Sequence, residues 1–481
     1  MDVLLRRVRA GLGGPLVDVR LAGGVVAAIG TGEPAGGARV IDARGGTLLP
    51  GLVDAHVHAA QWASHRRRVP LDAATSARAV VDLLANQPPA GPGEVLMGAG
   101  FRDGLWPDAP HKDLLERALP GQPVALFSAD LHTLWLSPAA LRLIGWEHPT
   151  GVLVENDCYE ATSALPAAPV ELLDRWVLEA AAAAAARGVT GIRDFEYADT
   201  VTDWTRRLAA GPPAVRVECV IARPVLDDAI ARGHRTGDPI GETDGLLTVG
   251  PYKLFVDGSL NTRTAYCHDP YPGTAFHGRL ELPPEELVPL MDRAYRHGIL
   301  PAVHAIGDHA TAIALDAFAR VGCPGRIEHA QLVHPGDLAR FAALDLTVGV
   351  QPAHAPDDRD VADRHWAGRT GRAFPYADLL AAGARLEIGS DAPVSPLDPW
   401  DGIASAVTRS DDGRPSWHPE QAIPLAEALR AASGGRAGVR VGDPADLIVV
   451  GTDPGEVAPQ DLRHIPVTAT FLAGRPTHLA A

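Results

Sequence analysis

The chain has little lysine, little cysteine and no long apolar run, and each shortage excludes a class of protein. Its 481 residues carry 43 basic and 59 acidic side chains, for a formal net charge of −16. An acidic chain without an extended basic block is a poor candidate for binding nucleic acid or an anionic membrane surface. No run reaches the roughly 18 apolar residues of a membrane span, so no membrane segment is predicted.

The cysteines and the N-terminus indicate a cytoplasmic protein. The four cysteines lie far apart with no CxxC pair, which favours reduced thiols over a disulfide framework. The first residues, MDVLLRRVRAGLGG, place arginines where a signal peptide needs its apolar core. A hydrophobic content of 46% allows a large core, either one barrel with additions or two to three domains.

Lysine is nearly absent although cations are common. Only Lys112 and Lys253 are lysines, so the other 41 of the 43 basic residues are arginine. A lysine that persists in such a chain raises the question of which chemistry arginine could not supply there.

The two ends of the chain have the same sequence pattern. Short apolar runs separated by glycine turns fill residues 1–50, and the same style returns in DPADLIVVGTD and PVTATFLAGRP near the C-terminus. Since chain termini often lie close together, residues 1–50 plus 436–481 are predicted to form one composite β-sandwich domain.

The middle of the chain alternates apolar strands with helical segments, which is typical of a parallel α/β fold. Eight such units predict a TIM (β/α)8 barrel over residues 51–435, with its chemistry at the C-terminal ends of the strands. The gap of about 130 residues after the first strand is too long for one crossover, so a subdomain is predicted to be inserted at about 62–170. The predicted strands are Leu52–His58, Val189–Asp194, Arg216–Ile221, Tyr252–Asp257, Leu300–Ala305, Arg326–Ala330, Thr347–Gln351 and Leu386–Asp391.

Histidines and one aspartate recur at the ends of these strands. His56 and His58 in GLVDAHVHAA are two residues apart, so on a strand both rings point to the same side. An HxH alone is weak evidence, but His304, His329 and Asp391 end three later strands and should converge on the same rim. Nitrogen and oxygen ligands of this kind suit zinc, with iron, manganese or nickel as alternatives.

Lys253 lies on the fourth predicted strand, in GPYKLFVDGS. One interpretation is a snorkelling lysine or a buried ion pair with Asp257. The other is chemical, because burial lowers the pKa of lysine and frees its amine, whereas arginine keeps its proton. A neutral amine can add CO2 to form a carbamate, an anionic ligand able to bridge two metal ions.

Five motifs in order, PGLVDAHVH, KLFVDGS, VHAIGD, RIEHAQ and GSDAPV, resemble the amidohydrolase superfamily. Within it the chain is most similar to the YtcJ-like branch, also called the amidohydrolase 3 family, which includes N-substituted formamide deformylases. The resemblance covers nearly the whole chain. It implies that His56 and His58 bind a first divalent metal, that carbamylated Lys253 bridges to a second, and that His304 and His329 hold the second. It also implies that Asp391 binds the first metal and handles protons.

The sequence therefore predicts a metal-dependent hydrolase that cleaves the C–N bond of an amide-like small molecule, such as an N-formyl or N-acyl amine, with metal-activated water. One or two Zn2+ ions are the expected cofactors. For Asp391 the alternative is a helix N-cap in SDAPV. Alternatives for the whole chain are a mononuclear deaminase, a cyclic amide hydrolase and a non-catalytic barrel. The non-catalytic barrel is disfavoured because the sequence keeps a suitable residue at all six predicted ligand positions.

Three residues are predicted to contact substrate, each with a structural alternative. His132 binds substrate or polarises its carbonyl, unless it is a packed, hydrogen-bonded histidine. Trp106 lines the pocket, unless it is a core aromatic. Arg263 clamps a carboxylate, unless it forms a surface ion pair. The base rate of symmetric oligomers favours a homodimer, although no segment points to an interface.

Overall fold

The computed structural model describes residues 2–87, 95–103, 106–129, 133–154 and 156–480. The strands are β1 Val3–Ala10, β2 Leu16–Ala22, β3 Val25–Gly30, β4 Arg39–Asp42, β5 Thr47–Pro50, β6 Leu52–Val57, β7 Val69–Pro70, β8 Leu96–Phe101, β9 Val124–Ser128, β10 Thr133–Leu136, β11 Val152–Val154, β12 Val189–Asp194, β13 Arg216–Ile221, β14 Leu247–Phe255, β15 Pro301–Ala305, β16 Gly325–His329, β17 Leu346–Val350, β18 Arg385–Ile388, β19 Leu447–Val450, β20 Val467–Leu472 and β21 Arg475–Leu479.

Helices alternate with the strands through the middle of the chain. They are α1 Ala59–His65, α2 Ala77–Ala85, α3 Lys112–Ala118, α4 Pro138–Leu143, α5 Asn156–Ala164, α6 Val170–Ala186, α7 Thr200–Ala210, α8 Leu226–Ala231, α9 Pro284–Arg296, α10 Asp308–Val321, α11 Leu338–Ala343, α12 His354–Asp357, α13 Arg359–His365, α14 Tyr376–Ala381, α15 Pro399–Thr408 and α16 Leu425–Ala431. Among the described residues, none of these helices combines the length and apolarity needed to cross a bilayer.

Eight parallel strands form a barrel, which confirms the predicted fold class. Neighbouring strands pair in the order β6, β12, β13, β14, β15, β16, β17 and β18. A parallel bridge between Val57, the last residue of β6, and Ala392, which follows β18, joins the first strand to the last. Parallel strands bring their carboxyl ends to one rim, so residues at those ends share a site.

The observed strands match the predicted ones closely, with one informative exception. β14 begins at Leu247, five residues before the predicted start at Tyr252. Gly250 and Pro251 lie inside the strand, beside a register shift in the pairing with β13. A Cβ on Gly250 would lie 2.9 Å from the backbone of Cys219, so only glycine permits this close approach of the two strands.

Helix α10 buries one apolar face. In α10, Ala310, Ala314 and Phe318 are buried at a spacing of four residues, the repeat that places side chains on one helical face. The helix ends at Gly322, whose φ of 69° is the left-handed conformation that glycine adopts without a Cβ clash. This termination returns the chain to β16, which carries two residues of the site.

Strands from both ends of the chain form one further sheet. Its order is β21, β20, β19, β5, β1, β2 and β3, with β4 paired to β1. Alternating residues such as Leu5, Leu447 and Phe471 build its apolar core. These strands all fall within the predicted segments 1–50 and 436–481. Contact density nevertheless places the sheet and barrel in one compact unit, Met1–Ala59 with Leu178–Ala481.

A second compact unit, Ala60–Val177, occupies the stretch where the insertion was predicted. Its sheet has the order β11, β10, β9, β8 and β7. Lys112 lies here at the start of α3, where its Nζ donates a hydrogen bond to the carbonyl of His148 at 2.6 Å. This lysine therefore has a local structural partner.

Candidate metal centre

The first barrel strand ends in two histidines with neighbouring rings. His56 lies on β6 and is buried, and His58 follows directly after the strand. The two ring centroids are 5.6 Å apart. The ring of His56 is stacked on Phe195 at 3.8 Å and an interplanar angle of 4°. The structure thus brings the two predicted imidazoles together on the side that strand alternation requires.

Asp391 lies beside both histidines. Its Oδ1 is 3.3 Å from Nε2 of His58 and 3.6 Å from Nε2 of His56. Its own backbone N–H donates to the carbonyl of His56 at 2.7 Å, and its φ of 57° is unusual for a residue with a side chain. The N-cap alternative for Asp391 is wrong, because the next helix, α15, begins at Pro399 and is capped by Asp398.

These three side chains fit a divalent metal ion. One ligand atom from each of His56, His58 and Asp391 lies within 4.8 Å of the others. Nδ1 of His56 is hydrogen-bonded to Glu328 at 2.8 Å, while its buried Nε2 has no hydrogen-bond partner among the described residues. A buried imidazole nitrogen without a partner, facing a carboxylate, is the donor arrangement that zinc and similar ions accept.

His304 and His329 lie against the first pair. Their ring centroids are 4.5 Å apart, and that of His329 is 5.0 Å from that of His56. Nε2 of His304 is 3.1 Å from the Gly258 carbonyl, and Nδ1 of His329 is 2.8 Å from Oε1 of Gln351. Each ring therefore donates from one nitrogen and keeps the other as an acceptor. Burial lowers the pKa of His304 to about 3, and a neutral imidazole is the form that binds metal.

Asp391 stays ionised in this environment. Burial alone would raise the pKa of Asp391, but the neighbouring imidazoles of His56, His58 and His329 outweigh it and hold the pKa well below its usual value. Burial would likewise lower the pKa of His58, and the hydrogen bond and negative charge of Asp391 raise it instead. The cluster therefore presents an anionic oxygen between imidazole nitrogens, which again suits a cation.

Lys253 is buried on β14 beside two aromatic rings. It is only 2% exposed, and its Nζ lies 4.7 Å from the ring centroids of both Phe195 and Phe255. In the described part of the chain no carboxylate forms an ion pair with it. Asp257, the partner suggested from sequence, instead accepts backbone N–H bonds from Tyr266 and Gly307, both at 2.8 Å. Burial lowers the pKa of Lys253 to about 8.

A comparison with known families identifies the chain. Residues 39–478 match the amidohydrolase 3 domain, described as an amidohydrolase family. This chain belongs to the amidohydrolase family.

Relatives of this amidohydrolase extend over nearly its whole length. YtcJ of Bacillus subtilis (strain 168) is 27% identical over 480 residues, which cover 90% of this chain and 89% of that protein. N-substituted formamide deformylase of Arthrobacter pascens is 27% identical over 523 residues, covering 95% of this chain and 94% of that protein. The crystal structure of an uncharacterized metal-dependent hydrolase from Pyrococcus horikoshii OT3 is 25% identical, with a TM-score of 0.81, and the match covers 95% of this chain and 99% of that one. The predicted family and hydrolase class are confirmed.

Three residues, Trp106, Arg263 and His132, were predicted to contact substrate. In this amidohydrolase Trp106 is half-buried and packs with Phe101 in the core of the second unit, at a centroid distance of 5.6 Å. Arg263 is exposed, on the loop after β14, with a φ of 60°. His132 lies outside the described residues. A contact of any of the three with substrate stays a prediction.

Sequence reasoning missed two buried carboxylates that support the cluster. Glu328 precedes His329 and bonds His56, as described above. Asp54 precedes His56 by two residues, and its Oδ1 accepts the backbone N–H bonds of His56 at 3.1 Å and Ser390 at 2.9 Å. Asp54 therefore links β6 to the segment that follows β18. The sequence did offer one signal for both carboxylates, since each lies within two residues of a predicted histidine ligand.

We expect Asp54→Ala to destabilise the fold. The substitution leaves two buried N–H groups without an acceptor, and each unpaired buried donor costs about 1–3 kcal/mol. Burial raises the pKa of Asp54 to about 6, although hydrogen bonds from Ser390 and His56 oppose the shift. Chemical denaturation measures the loss. Asp42→Ala, which removes an exposed pairing with Arg7, is the control and should unfold like the wild type. Equal stability of both variants would contradict the role given to Asp54.

Proposed function

We propose that this amidohydrolase hydrolyses the C–N bond of a small amide-like molecule, an N-formyl or N-acyl amine, with Zn2+ as its cofactor. The observation that carries the proposal is the convergence of His56, His58 and Asp391 within 4.8 Å, with the buried Nε2 of His56 lacking any other partner among the described residues. When bound, a divalent ion polarises a carbonyl oxygen and lowers the pKa of water.

The proposed ligand sets follow from which nitrogens are available. His56, His58 and Asp391 would hold one ion, and His304 and His329 would hold a second. The acceptor nitrogens of His304 and His329 are those left over from their bonds to Gly258 and Gln351. Carboxylated Lys253 is proposed as the ligand shared by both ions, and its place beside Phe195 and Phe255 puts it within the same interior.

The burial of Lys253 supports its carboxylation. Its pKa, lowered to about 8 by burial, makes the neutral amine far more abundant near neutral pH than in an exposed lysine. The amine nitrogen attacks the carbon of CO2, an N–C bond forms, and one C=O electron pair moves onto oxygen. The nitrogen then releases a proton to water, which leaves an anionic carbamate. Arginine, the usual cation of this chain, keeps its proton and cannot follow this route.

Asp391 is the proposed proton carrier. Its pKa is held well below the usual range by the neighbouring histidines, so it is an ionised acceptor at neutral pH. It takes a proton from the attacking water and passes it to the leaving nitrogen, which departs as an amine. The backbone bond from Asp391 to His56 keeps the carboxylate in place during this exchange.

Two exposed aromatic rings suggest where a substituent of the substrate lies. Phe255 ends β14 on the same side as Lys253 and is 37% exposed, with its ring 5.3 Å from that of His304. Tyr197 is 51% exposed, and its ring is 6.1 Å from that of Phe255. Apolar surface beside a polar cluster favours a substrate with a polar amide and an apolar substituent.

A substrate screen tests the proposed function. Purified protein supplied with Zn2+ is incubated with N-formyl amines, N-acyl amines and ring amides, each with an alkyl or an aryl substituent. We expect release of amine and carboxylate from open-chain amides, and loss of that release when a chelator is added. Release of ammonia from amidines or aminated rings, with every amide left intact, would contradict the proposal and favour a deaminase.

A further inference from the structure

A chain of charged side chains fills the barrel interior next to His56, and the proposed reaction makes no use of it. Oε2 of Glu328 is 2.8 Å from Nδ1 of His56, and Nε of Arg326 donates to the other oxygen, Oε1. Arg326 also donates to Glu387 at 2.5 Å, and Arg193 joins Glu387 to Glu218 with two bonds of 2.7 Å. Glu328 is fully buried. A buried carboxylate that bonds two donors is costly to assemble, and its position therefore calls for an explanation.

We propose that Glu328 is the positioning residue that sets the tautomer of His56. An ionised carboxylate only accepts hydrogen bonds, so Oε2 of Glu328 requires the proton of the neutral ring to sit on Nδ1. Nε2 is then left as a lone pair facing Asp391, from which it is 3.6 Å away. This inference rests on the proposed function in one respect, namely that Nε2 of His56 binds a metal ion.

Phe195 cannot set the tautomer of His56. Its parallel stacking on His56 fixes the plane of the imidazole, but a ring turned by half a revolution in that plane, or carrying its proton on the other nitrogen, would stack equally well. Glu328 distinguishes these states because it bonds one nitrogen only. Arg326 keeps the carboxylate from rotating, since it holds the second oxygen. The plane and the tautomer of His56 thus have separate causes.

A glycine on the neighbouring strand supports the same role. Gly349 lies on β17, and a Cβ at this position would overlap Oε2 of Glu328 and approach Nη2 of Arg326 to 2.8 Å. Its φ is not in the left-handed region, so backbone freedom does not account for the glycine. The space in front of Gly349 is the space that the Glu328 carboxylate occupies.

The variant Glu328→Gln makes the sharpest test because it keeps the shape and changes the hydrogen-bond pattern. Arg326 and His56 bond different oxygens of Glu328, so the single oxygen of a glutamine amide can face only one of them. The charged guanidinium takes the oxygen, since charge-assisted bonds are the stronger ones. The amide NH2 then faces Nδ1 of His56 and donates a hydrogen bond to it. Because Nδ1 must accept this bond, the ring proton moves to Nε2. The variant is therefore predicted to invert the tautomer.

Two measurements follow, one of them independent of activity and of metal. Nitrogen-15 NMR of metal-free protein should find the His56 proton on Nδ1 in the wild type and on Nε2 in Glu328→Gln. Chelator competition should find Zn2+ affinity lowered by about 10–100-fold, the usual effect of losing such a partner. Glu218→Gln, which alters the same charge chain without touching His56, should match the wild type in both. A His56 proton that stays on Nδ1 in Glu328→Gln, or an unchanged Zn2+ affinity, overturns the proposal.

A second variant tests the proposal if Glu328→Gln does not fold. Gly349→Ala pushes the Glu328 carboxylate aside without removing a charged group, and it should also weaken Zn2+ binding. Gly413→Ala, where nothing lies within 4 Å of the added Cβ, is its control and should bind Zn2+ like the wild type. Equal affinity of these two variants overturns the role of Glu328. If the wild type binds no metal, the proposed function fails, and the tautomer comparison still decides the role of Glu328.

Discussion

Asp391→Asn is expected to lower kcat by about 10²–10⁴-fold, the range that a general acid–base residue contributes. The amide cannot accept the proton of an attacking water, and its NH2 group can turn toward Nε2 of His58, which the carboxylate now faces at 3.3 Å. The backbone bond from residue 391 to His56 does not involve the side chain. The barrel should therefore keep its fold.

Steady-state kinetics on a substrate from the screen measures this loss, and circular dichroism checks the fold. Asp42→Asn is the matched control, because that carboxylate is exposed and accepts hydrogen bonds from the Arg7 side chain and from the backbone N–H of Arg44. It should leave kcat unchanged. Wild-type turnover in a folded Asp391→Asn protein would remove Asp391 from the mechanism.

Lys253→Arg is expected to abolish carboxylation and to lower kcat by about 10²–10³-fold, which corresponds to the several kcal/mol that a metal ion supplies to a polarised carbonyl. Arginine keeps a positive charge among His56, His304 and His329, and it cannot become the anion that the proposed ligand set requires. Protein equilibrated with ¹³C-bicarbonate should show a carbamate carbon signal in the wild type and none in the variant.

Lys112→Arg is the control for this experiment, since it replaces the other lysine of the chain. Lys112 donates to the His148 carbonyl, a bond that arginine can also make, so carbamate signal, metal content and kcat should stay at wild-type values. A carbamate signal that persists in Lys253→Arg, or one metal ion per chain whatever stands at position 253, would refute the bridging role.

The strands and the order of the site residues could be predicted because both depend on local pattern. Each barrel strand is a short apolar run followed by a polar turn, and parallel strands necessarily share one rim. For the same reason His56 and His58 could be assigned to one side of β6. The one displaced strand start, at Leu247, arose because Gly250 and Pro251 look like a break to any local rule. Their true role depends on the backbone of β13.

The surroundings of His329 could not be predicted, because backbone geometry overrides alternation there. On β16, Arg326 and Glu328 point into the barrel, so strict alternation turns the next side chain away. His329 instead has a φ of 78°, and its ring lies 4.5 Å from that of His304. The left-handed conformation therefore allows two consecutive residues to serve the same site. Sequence pattern carries no sign of this.

The surroundings of Gly349 and Lys253 also could not be predicted, because they depend on packing between distant parts of the sequence. Gly349 looks like a weak point in a strand, yet a Cβ there would collide with Glu328. From the sequence, Lys253 could form an ion pair with Asp257, four residues later in the chain. In the structure, however, that carboxylate is committed to the backbone of Tyr266, Ile306 and Gly307. Both facts depend on neighbours distant in sequence.

The metal content of the purified protein, measured by elemental analysis together with activity before and after treatment with a chelator, tests the central claim most directly. The account predicts about two divalent ions per chain, the number a two-metal site holds. It also predicts that hydrolysis falls as the ions are removed and returns when Zn2+ is restored. A protein that hydrolyses its amide substrate at full rate after all metal has been removed would contradict it.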